Sequence, residues 1–444
     1  MNKEFRKKLN FFSFSDIDSE RKDRIMKFTS TEATPAPHVP PGVLRLTGAA
    51  KEDIPMYRIQ TMNKISPVGL NRFPSELYEV GDAVQDPQGI LVRSAKLLDL
   101  EFNPGLLAIA RAGVGVNNIP LDRCAAAGIP VFSTPGANAN AVKELVICAM
   151  LMGSRDIPGA IRWVREQAAS GVDVSTVVEK GKSAFIGPEL YKKTLGIIGL
   201  GAIGSIVANT AISLGMDVYG YDPFLSVDTA LRLDRHVHVV KDINDLYKRS
   251  DYITMHIHYT EKTAHMIDAS AIAAMKRGVR VINLARGEIV DDEAMLTALD
   301  TGMVAAYITD FPNNRLLTAP HVIAMPHLGA STPESEQNCA AMAVDTLRDY
   351  LESGNIRSSV NLPEMTMDRS GVQRLCVLHK NVPGMLANIT SLFGRDGVNV
   401  ENLSNKSRGD YAYTMVDLGS KVGDNVIEDV RRTANVIRVR SLEW

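Results

Sequence analysis

Gly199, Gly201 and Gly204 are spaced GxGxxG inside "TLGIIGLGAIGSIVANTAISLGMDVYGYDP" (194–223). That spacing suits the binding of a dinucleotide's pyrophosphate. Gly199 allows a tight turn, Gly201 lets the backbone approach the phosphates, and Gly204 lets a helix pack closely on a strand. The anion would rest on the helix N-terminus, where free N–H groups and the helix dipole favour negative charge. The flanking pattern agrees with this reading. Thr194 to Leu200 reads as a buried strand, Ile203 to Leu214 as a helix, and Met216 to Tyr221 as a second strand. Asp222 closes that strand 18 residues past Gly204, near the place of an acid that grips the adenosine ribose. A carboxylate there repels a 2′-phosphate, which favours NAD over NADP.

Further polar residues stand where strand-like runs give way to loops. His327 follows "VIAMP", Arg286 follows "VINLA" and Asp310 follows "VAAYIT". A core histidine usually lies among apolar residues on one face of a regular element. His327 instead opens the loop "HLGAST", and loops carry most binding and catalytic groups. His256 and His258 form an HxH whose spacing in a strand puts both on one face, but no third metal ligand is evident.

The elements that position these residues alternate. "HVHVV" (236–240), "DYITMHI" (251–257), "VRVINLA" (279–285), "MVAAYITD" (303–310) and "HVIAMP" (321–326) read as strands. "DINDLYKRS", "SAIAAMKRG" and "DDEAMLTALDTG" read as the helices between them. The pattern predicts a doubly wound parallel sheet, which binds ligands outside the carboxyl ends of its strands. After residue 370 the order becomes strand, helix, two strands, helix, strand, as in a small ferredoxin-like α+β module.

Composition sets outer bounds. A chain of 444 residues fits two to four domains at roughly 100–200 residues each. The net charge of −2 offers no broad field for nucleic acid or an anionic membrane. Cys124, Cys148, Cys339 and Cys376 match no zinc or CxxC spacing and suit reduced thiols in the cytoplasm. Residues 1–55 differ from the rest, with a charged stretch followed by the linker-like "TSTEATPAPHVPPG". Two readings of them stand. One is a disordered tail. The other is translated upstream sequence, because "KED" can be encoded AAG-GAG-GAT, a ribosome-binding sequence correctly spaced from Met56.

From about Met56 to Trp444 the sequence resembles the D-isomer-specific 2-hydroxyacid dehydrogenases. The resemblance rests on "LVRSA" (91–95), "RAGVGVNNI" (111–119), "STPGANANAVKEL" (133–145), "GIIGLGAIG" (196–204), "GYDP" (220–223), "NLARGEIVDD" (283–292) and "PHLGAST" (326–332). It implies two Rossmann-like domains. A discontinuous substrate-binding domain would span 56–152 and 328–362, and an NAD-binding domain 153–327, with long helices crossing twice between them. It implies hydride transfer from C2 of a 2-hydroxy acid to NAD, with His327 as acid/base and Arg286 fixing the carboxylate. Gly199, Gly201, Ala202, Ile203, Gly204, Asp222, His256, Ala285 and Asp310 would meet the cofactor. Arg93, Ser94 and Arg111 would approach a substrate phosphate, and Gly113 and Gly115 would offer N–H groups to the carboxylate. The substrate would then be a phosphorylated 2-hydroxy acid, and the enzyme a homo-oligomer that uses no metal. The alternatives are another dehydrogenase of this class and a non-catalytic NAD-sensing protein. Intact His327 and Arg286 argue against the latter.

The tail from 370 to 444 resembles the ACT domain, a regulatory module that binds amino acids. His379, Asn381 and Asn399 match positions that grip serine in serine-inhibited relatives. One departure from the family stands out. Most members carry a glutamate that hydrogen-bonds the catalytic histidine. In "YITDFPNNRLL" (307–317) Asn314 falls in its place, and Thr309 in that of the strand-end aspartate. Asp310 is the expected substitute, as the only acid between Thr301 and His327. Glu334 and Glu336 are further candidates, and a histidine without a carboxylate partner is the remaining option.

Overall fold

The structure is a computed structural model and describes residues 56–444. The expectations for residues 1–55 fall outside that range. The first sheet holds β1 (Tyr57–Met62), β2 (Tyr78–Gly81), β3 (Gly89–Val92), β4 (Ala108–Arg111) and β5 (Val131–Phe132), all parallel, in the order β2-β1-β3-β4-β5. Every residue of β3 is buried, as are Ala108 to Ala110 of β4. Continuous apolar runs of this kind mark strands covered on both faces.

The second sheet has seven parallel strands: β6 (Thr194–Ile198), β7 (Asp217–Tyr221), β8 (Val237–Val240), β9 (Tyr252–Met255), β10 (Val279–Asn283), β11 (Val304–Thr309) and β12 (Val322–Ala324). Their order, β12-β11-β10-β9-β6-β7-β8, reverses direction between β6 and β9. That reversal opens the crevice where doubly wound sheets take dinucleotides. One boundary differs from the sequence reading. β9 ends at Met255, so His258 lies in the following loop and is exposed, and the pair does not share a strand face.

Two long helices join the sheets. Ala139–Arg155 buries Val142, Val146, Ala149 and Met150, a helical stripe that packs in one core with Ile282 and Ile308 of the second sheet. Pro333–Ser353 starts with Thr332 as N-cap, whose Oγ1 accepts from Ser335 N at 3.1 Å, and has Pro333 in its first turn. It buries Ala340, Val344 and Leu347 against the first sheet. Between them, helices Ile157–Ala169 and Val174–Gly181 form a hairpin that buries no residue of its own.

The tail sheet is antiparallel: β13 (Gln373–Lys380), β14 (Val400–Arg408), β15 (Tyr411–Leu418) and β16 (Val436–Glu443), in the order β14-β15-β13-β16. Helices Met385–Arg395 and Asp424–Arg432 cover the face that bears Leu375, Val377, Val416 and Val439. The opposite face bears Cys376, Leu378, Tyr413, Met415 and Leu442. These belong to the same core as Ile59, Leu91, Tyr350 and Ile356, so the tail and the first sheet share one hydrophobic core. Arginines pin the join. Arg440 donates to Tyr350 O and Leu351 O at 3.0 and 2.8 Å, carbonyls in the last turn of helix Pro333–Ser353. Arg374 donates to Ser353 O and Met367 O, and it forms a fully buried pair with Asp417. Among the described residues no helix is long and apolar enough to cross a membrane.

Candidate active site

Each glycine of the β6 turn has its own reason. Gly199 has φ +89°, and a Cβ there would sit 2.6 Å from His256 O. A Cβ on Gly204 would meet Gly199 O at 1.9 Å, so helix and turn touch backbone to backbone. A Cβ on Gly201 would meet nothing within 4 Å, which leaves open space over the turn. Gly201 caps helix Ala202–Ser213 without a side-chain hydrogen bond, so the N–H groups of the first turn, around Ala202 and Ile203, lack a side-chain cap. Asp222 follows β7 and accepts from Leu200 N and Phe224 N, both at 2.9 Å. It thereby ties the turn to the end of the second strand. The set fits a bound NAD: an open cradle, an uncapped helix start and a carboxylate fixed at the end of the second strand. His256 flanks the turn, with N donating to Ile198 O at 2.7 Å. Burial pushes its imidazole down to about 4, so it is neutral at physiological pH. Among the described residues no group of three or more potential ligands gathers to hold a metal.

Arg286, His327 and Asp310 leave neighbouring strands of the same sheet. Asn283, fully buried at the end of β10, shapes the loop that presents Arg286: its Nδ2 donates to Arg286 O at 2.9 Å, and its Oδ1 accepts from Ala285 N at 3.2 Å. His327 is exposed. Phe311 stands against both residues. Its ring centroid is 4.6 Å from that of His327 and 5.7 Å from the Arg286 guanidinium carbon. Phe311 is not among the candidate residues of the sequence analysis.

Asp310 is 1% exposed. Its Oδ2 accepts from Gly329 N at 3.2 Å, within the loop that carries His327. Its Oδ1 is buried without a protein partner. Burial pushes its carboxyl up, against the opposing pull of His327 and of the Gly329 and Leu328 N–H groups. Among the described residues no hydrogen bond joins the Asp310 and His327 side chains. Thr309 is fully buried and accepts from Phe311 N at 3.0 Å, so it shapes the strand end. Glu336 is engaged elsewhere, with Arg93.

The residues expected to meet a substrate lie on the first sheet. Arg93 follows β3 and Arg111 ends β4; Arg111 Nε donates to Arg93 O at 3.0 Å. Gly113 leaves room for Arg111, because a Cβ there would lie 2.3 Å from Arg111 Nη1. Gly115 does the same for Arg286, at 3.0 Å from Nη2. The guanidinium groups of Arg111 and Arg286 therefore pack on one glycine turn, and Arg93 joins them through its backbone carbonyl. Burial lowers the pKa of Arg111, and the neighbouring Arg286 and Arg93 lower it further. Gly113 differs from expectation: its N–H is already taken by Arg111 O at 2.9 Å, because the turn closes on itself. Ser94 is exposed, with its N–H held by Asn63 Oδ1 at 3.1 Å. Asn63 also accepts from Ala95 N at 2.6 Å and was not foreseen. Its place just after β1, facing the switch point of the first sheet, was the available signal.

In the tail the three expected effector residues do not meet. His379 is buried, its ring spent on Lys380 O and Thr414 Oγ1, both at 2.8 Å. Asn381 is exposed beyond the end of β13, and Asn399 is exposed just before the start of β14. Both strands pair antiparallel to β15 and so run parallel to each other, which puts Asn381 and Asn399 at opposite ends of the sheet.

Comparison with known proteins agrees with this geometry. Residues 147–329 match the family described as D-isomer specific 2-hydroxyacid dehydrogenase, NAD binding domain. The D-3-phosphoglycerate dehydrogenase of Haemophilus influenzae is 31% identical over 379 residues, which cover 82% of this chain and 88% of that protein. The Escherichia coli protein of that name is 33% identical over 350 residues, 76% of this chain and 82% of its own length. The Synechocystis one is 36% identical over 326 residues, 71% of this chain but 56% of its own length. The chain likewise spans only 55% and 60% of the Methanocaldococcus jannaschii and Bacillus subtilis proteins. Among solved structures, the NAD+-bound 3-phosphoglycerate dehydrogenase of Entamoeba histolytica is similar with TM-score 0.54 and 26% identity, covering 69% of this chain and 99% of that one.

Proposed function

The chain belongs to the D-isomer-specific 2-hydroxyacid dehydrogenase family, and from that premise we propose that it oxidises 3-phospho-D-glycerate to 3-phosphohydroxypyruvate with NAD. This is the activity of a D-3-phosphoglycerate dehydrogenase, the first step of L-serine synthesis. The observation that carries the reading is the packing of Arg111 and Arg286 on the Gly113–Gly115 turn, with Arg93 bonded to Arg111 through its carbonyl and near enough to lower its pKa. A substrate with a carboxylate at one end and a phosphate at the other needs cations at both.

Bound NAD supplies the hydride acceptor. The chain's own residues do the rest. Arg286 holds the carboxylate and the 2-oxygen through paired hydrogen bonds, which fixes C2. The Gly115 N–H joins it, while Arg93 and Arg111 hold the phosphate. His327 takes the hydroxyl proton as hydride leaves C2, and returns it in the reverse direction. Phe311 keeps His327 and Arg286 in register by packing on both. Asp310 backs the loop that carries His327 through its bond to Gly329 N.

The division of labour is part of the proposal. Residues 56–152 and 328–362 bind substrate, 153–327 bind NAD, and 370–444 form an ACT-type regulatory module. Serine regulation is supported by exposed Asn381 and Asn399, with His379 as an internal brace. Because these asparagines lie at opposite ends of one sheet, two copies paired antiparallel along β14 would bring Asn399 of one copy beside Asn381 of the other. A homo-oligomer also suits the hairpin at 157–185, where Ile161, Val164 and Val178 are exposed. Four free cysteines are in keeping with a cytoplasmic protein.

The test is reduction of 3-phosphohydroxypyruvate by NADH. His327→Asn retains NAD binding while kcat falls by about 10²–10⁴, the range for loss of a general acid–base group. Near-normal turnover would remove His327 from the mechanism. Serine at millimolar concentration slows the wild type, and Asn381→Ala relieves the inhibition; an indifferent wild type would discard the effector role.

A further inference from the structure

Arg93, whose carbonyl holds Arg111, pairs through its side chain with an acid. Its Nη2 lies 2.6 Å from Glu336 Oε1, and both side chains are partly open to solvent, 41% and 43% exposed. Glu336 sits in the first turn of helix Pro333–Ser353. That turn follows the loop of His327, so the pair ties the catalytic loop's helix to the end of β3. A carboxylate early in a helix is favoured by the dipole. That gives Glu336 a reason to be on the helix, but not a reason to spend itself on the arginine of the phosphate subsite.

We propose that Glu336 is a resident counter-ion of the phosphate subsite: it holds Arg93 when the subsite is empty, and the substrate's phosphate must displace it. The inference rests on the reading of Arg93 as a phosphate ligand. A phosphate monoester carries nearly two negative charges near neutral pH and offers three acceptor oxygens, so it outcompetes one carboxylate. A weaker anion gains less from the exchange. An uncharged substrate end leaves the pair intact. After turnover the returning carboxylate opposes retention of the phosphorylated product. Glu336 thus loosens phosphate binding and sets the affinity of the site, acting through Arg93 as a positioning residue.

The experiment compares wild type, Glu336→Gln and Arg93→Ala in the full chain, with 3-phosphohydroxypyruvate and with unphosphorylated hydroxypyruvate. Glutamine keeps the shape and removes the charge. In Glu336→Gln the KM for the phosphorylated substrate falls about three- to fivefold, the size of one exposed ion pair. The KM for hydroxypyruvate stays within about twofold. Inhibition by inorganic phosphate tightens by the same factor as the phosphorylated substrate. The ratio between variant and wild type shrinks as potassium chloride is raised, because salt screens the competing pair. A merely structural role for Glu336 would lower Tm and move both substrates alike. An unchanged or raised KM for the phosphorylated substrate overturns the proposal. If wild type shows no preference for the phosphorylated substrate and Arg93→Ala alters nothing, the reading of Arg93 has failed and the proposal falls with it. If Arg93→Ala abolishes the preference and Glu336→Gln leaves KM unmoved, the proposal alone has failed.

Discussion

At the scale of single residues, the sequence departs from the expected family pattern at the carboxylate proposed to orient His327. Asp310 lies one position from the expected strand end and faces inward, with one oxygen on Gly329 N and the other unpartnered. Burial raises its carboxyl pKa. Between the ordinary value and the raised one, the folded chain holds more protons than the unfolded chain, so stability falls as pH climbs through that window. Asp310→Asn removes the buried charge. Thermal melts at neutral pH should then show a higher Tm, while the kcat/KM profile shifts to lower pH with a large rate loss. Such opposition of stability and activity is common at functional sites. A normal rate with an unmoved profile would leave His327 working without this carboxylate. His256 gives the opposite slope. The unfolded chain takes up its proton near pH 6.5 and the folded chain only near about 4. Stability is therefore lost as pH falls across that interval, and His256→Gln flattens the loss in urea titrations.

At the scale of elements, the cofactor crevice was legible in the sequence because every requirement is local. Three glycines, an apolar strand and a terminal acid lie within thirty residues. The structure separates roles that the motif lumps together. Gly204→Ala forces a Cβ onto Gly199 O and should destabilise or unfold the domain. Gly201→Ala places its methyl in open space, so stability should stay within about 0.5 kcal/mol while NAD binding weakens. Calorimetry with and without NAD distinguishes the two; equal losses of stability would refute the separation. Contacts between distant segments were not legible. Arg93 and Glu336 are 243 positions apart, and neither residue type names the other. Asn283 and Phe311 were passed over because a buried asparagine and a strand-end aromatic look like ordinary packing.

At the scale of the whole molecule, the order of elements was readable, whereas the docking of the tail was not. A signal for it existed. Leu375, Cys376, Val377 and Leu378 are all buried in an antiparallel strand. Such strands usually alternate, and an unbroken apolar run means that both faces are covered. The buried Arg374–Asp417 pair, with both side chains 0% exposed, braces the join. Asp417→Asn strands a buried guanidinium and should cost about 3–5 kcal/mol. Because the core is shared, the loss should not be confined to the tail. Trp444, stacked over Arg369 and Arg374, reports on the tail. In a Trp163→Phe background its fluorescence and the enzyme's activity should disappear at the same urea concentration. Separate midpoints would mean that the tail unfolds independently.

In terms of descent, this core makes the tail a poor cassette. A gene that lost residues 370–444 would strip Cys376, Leu378, Tyr413, Met415 and Leu442 from the core that holds Tyr350, Leu351, Ile356 and Met365, all now 1% exposed or less. One that traded the segment for a cousin would need arginines matching the carbonyls at the end of helix Pro333–Ser353. Selection for folding alone then retains the segment, whether or not it binds anything.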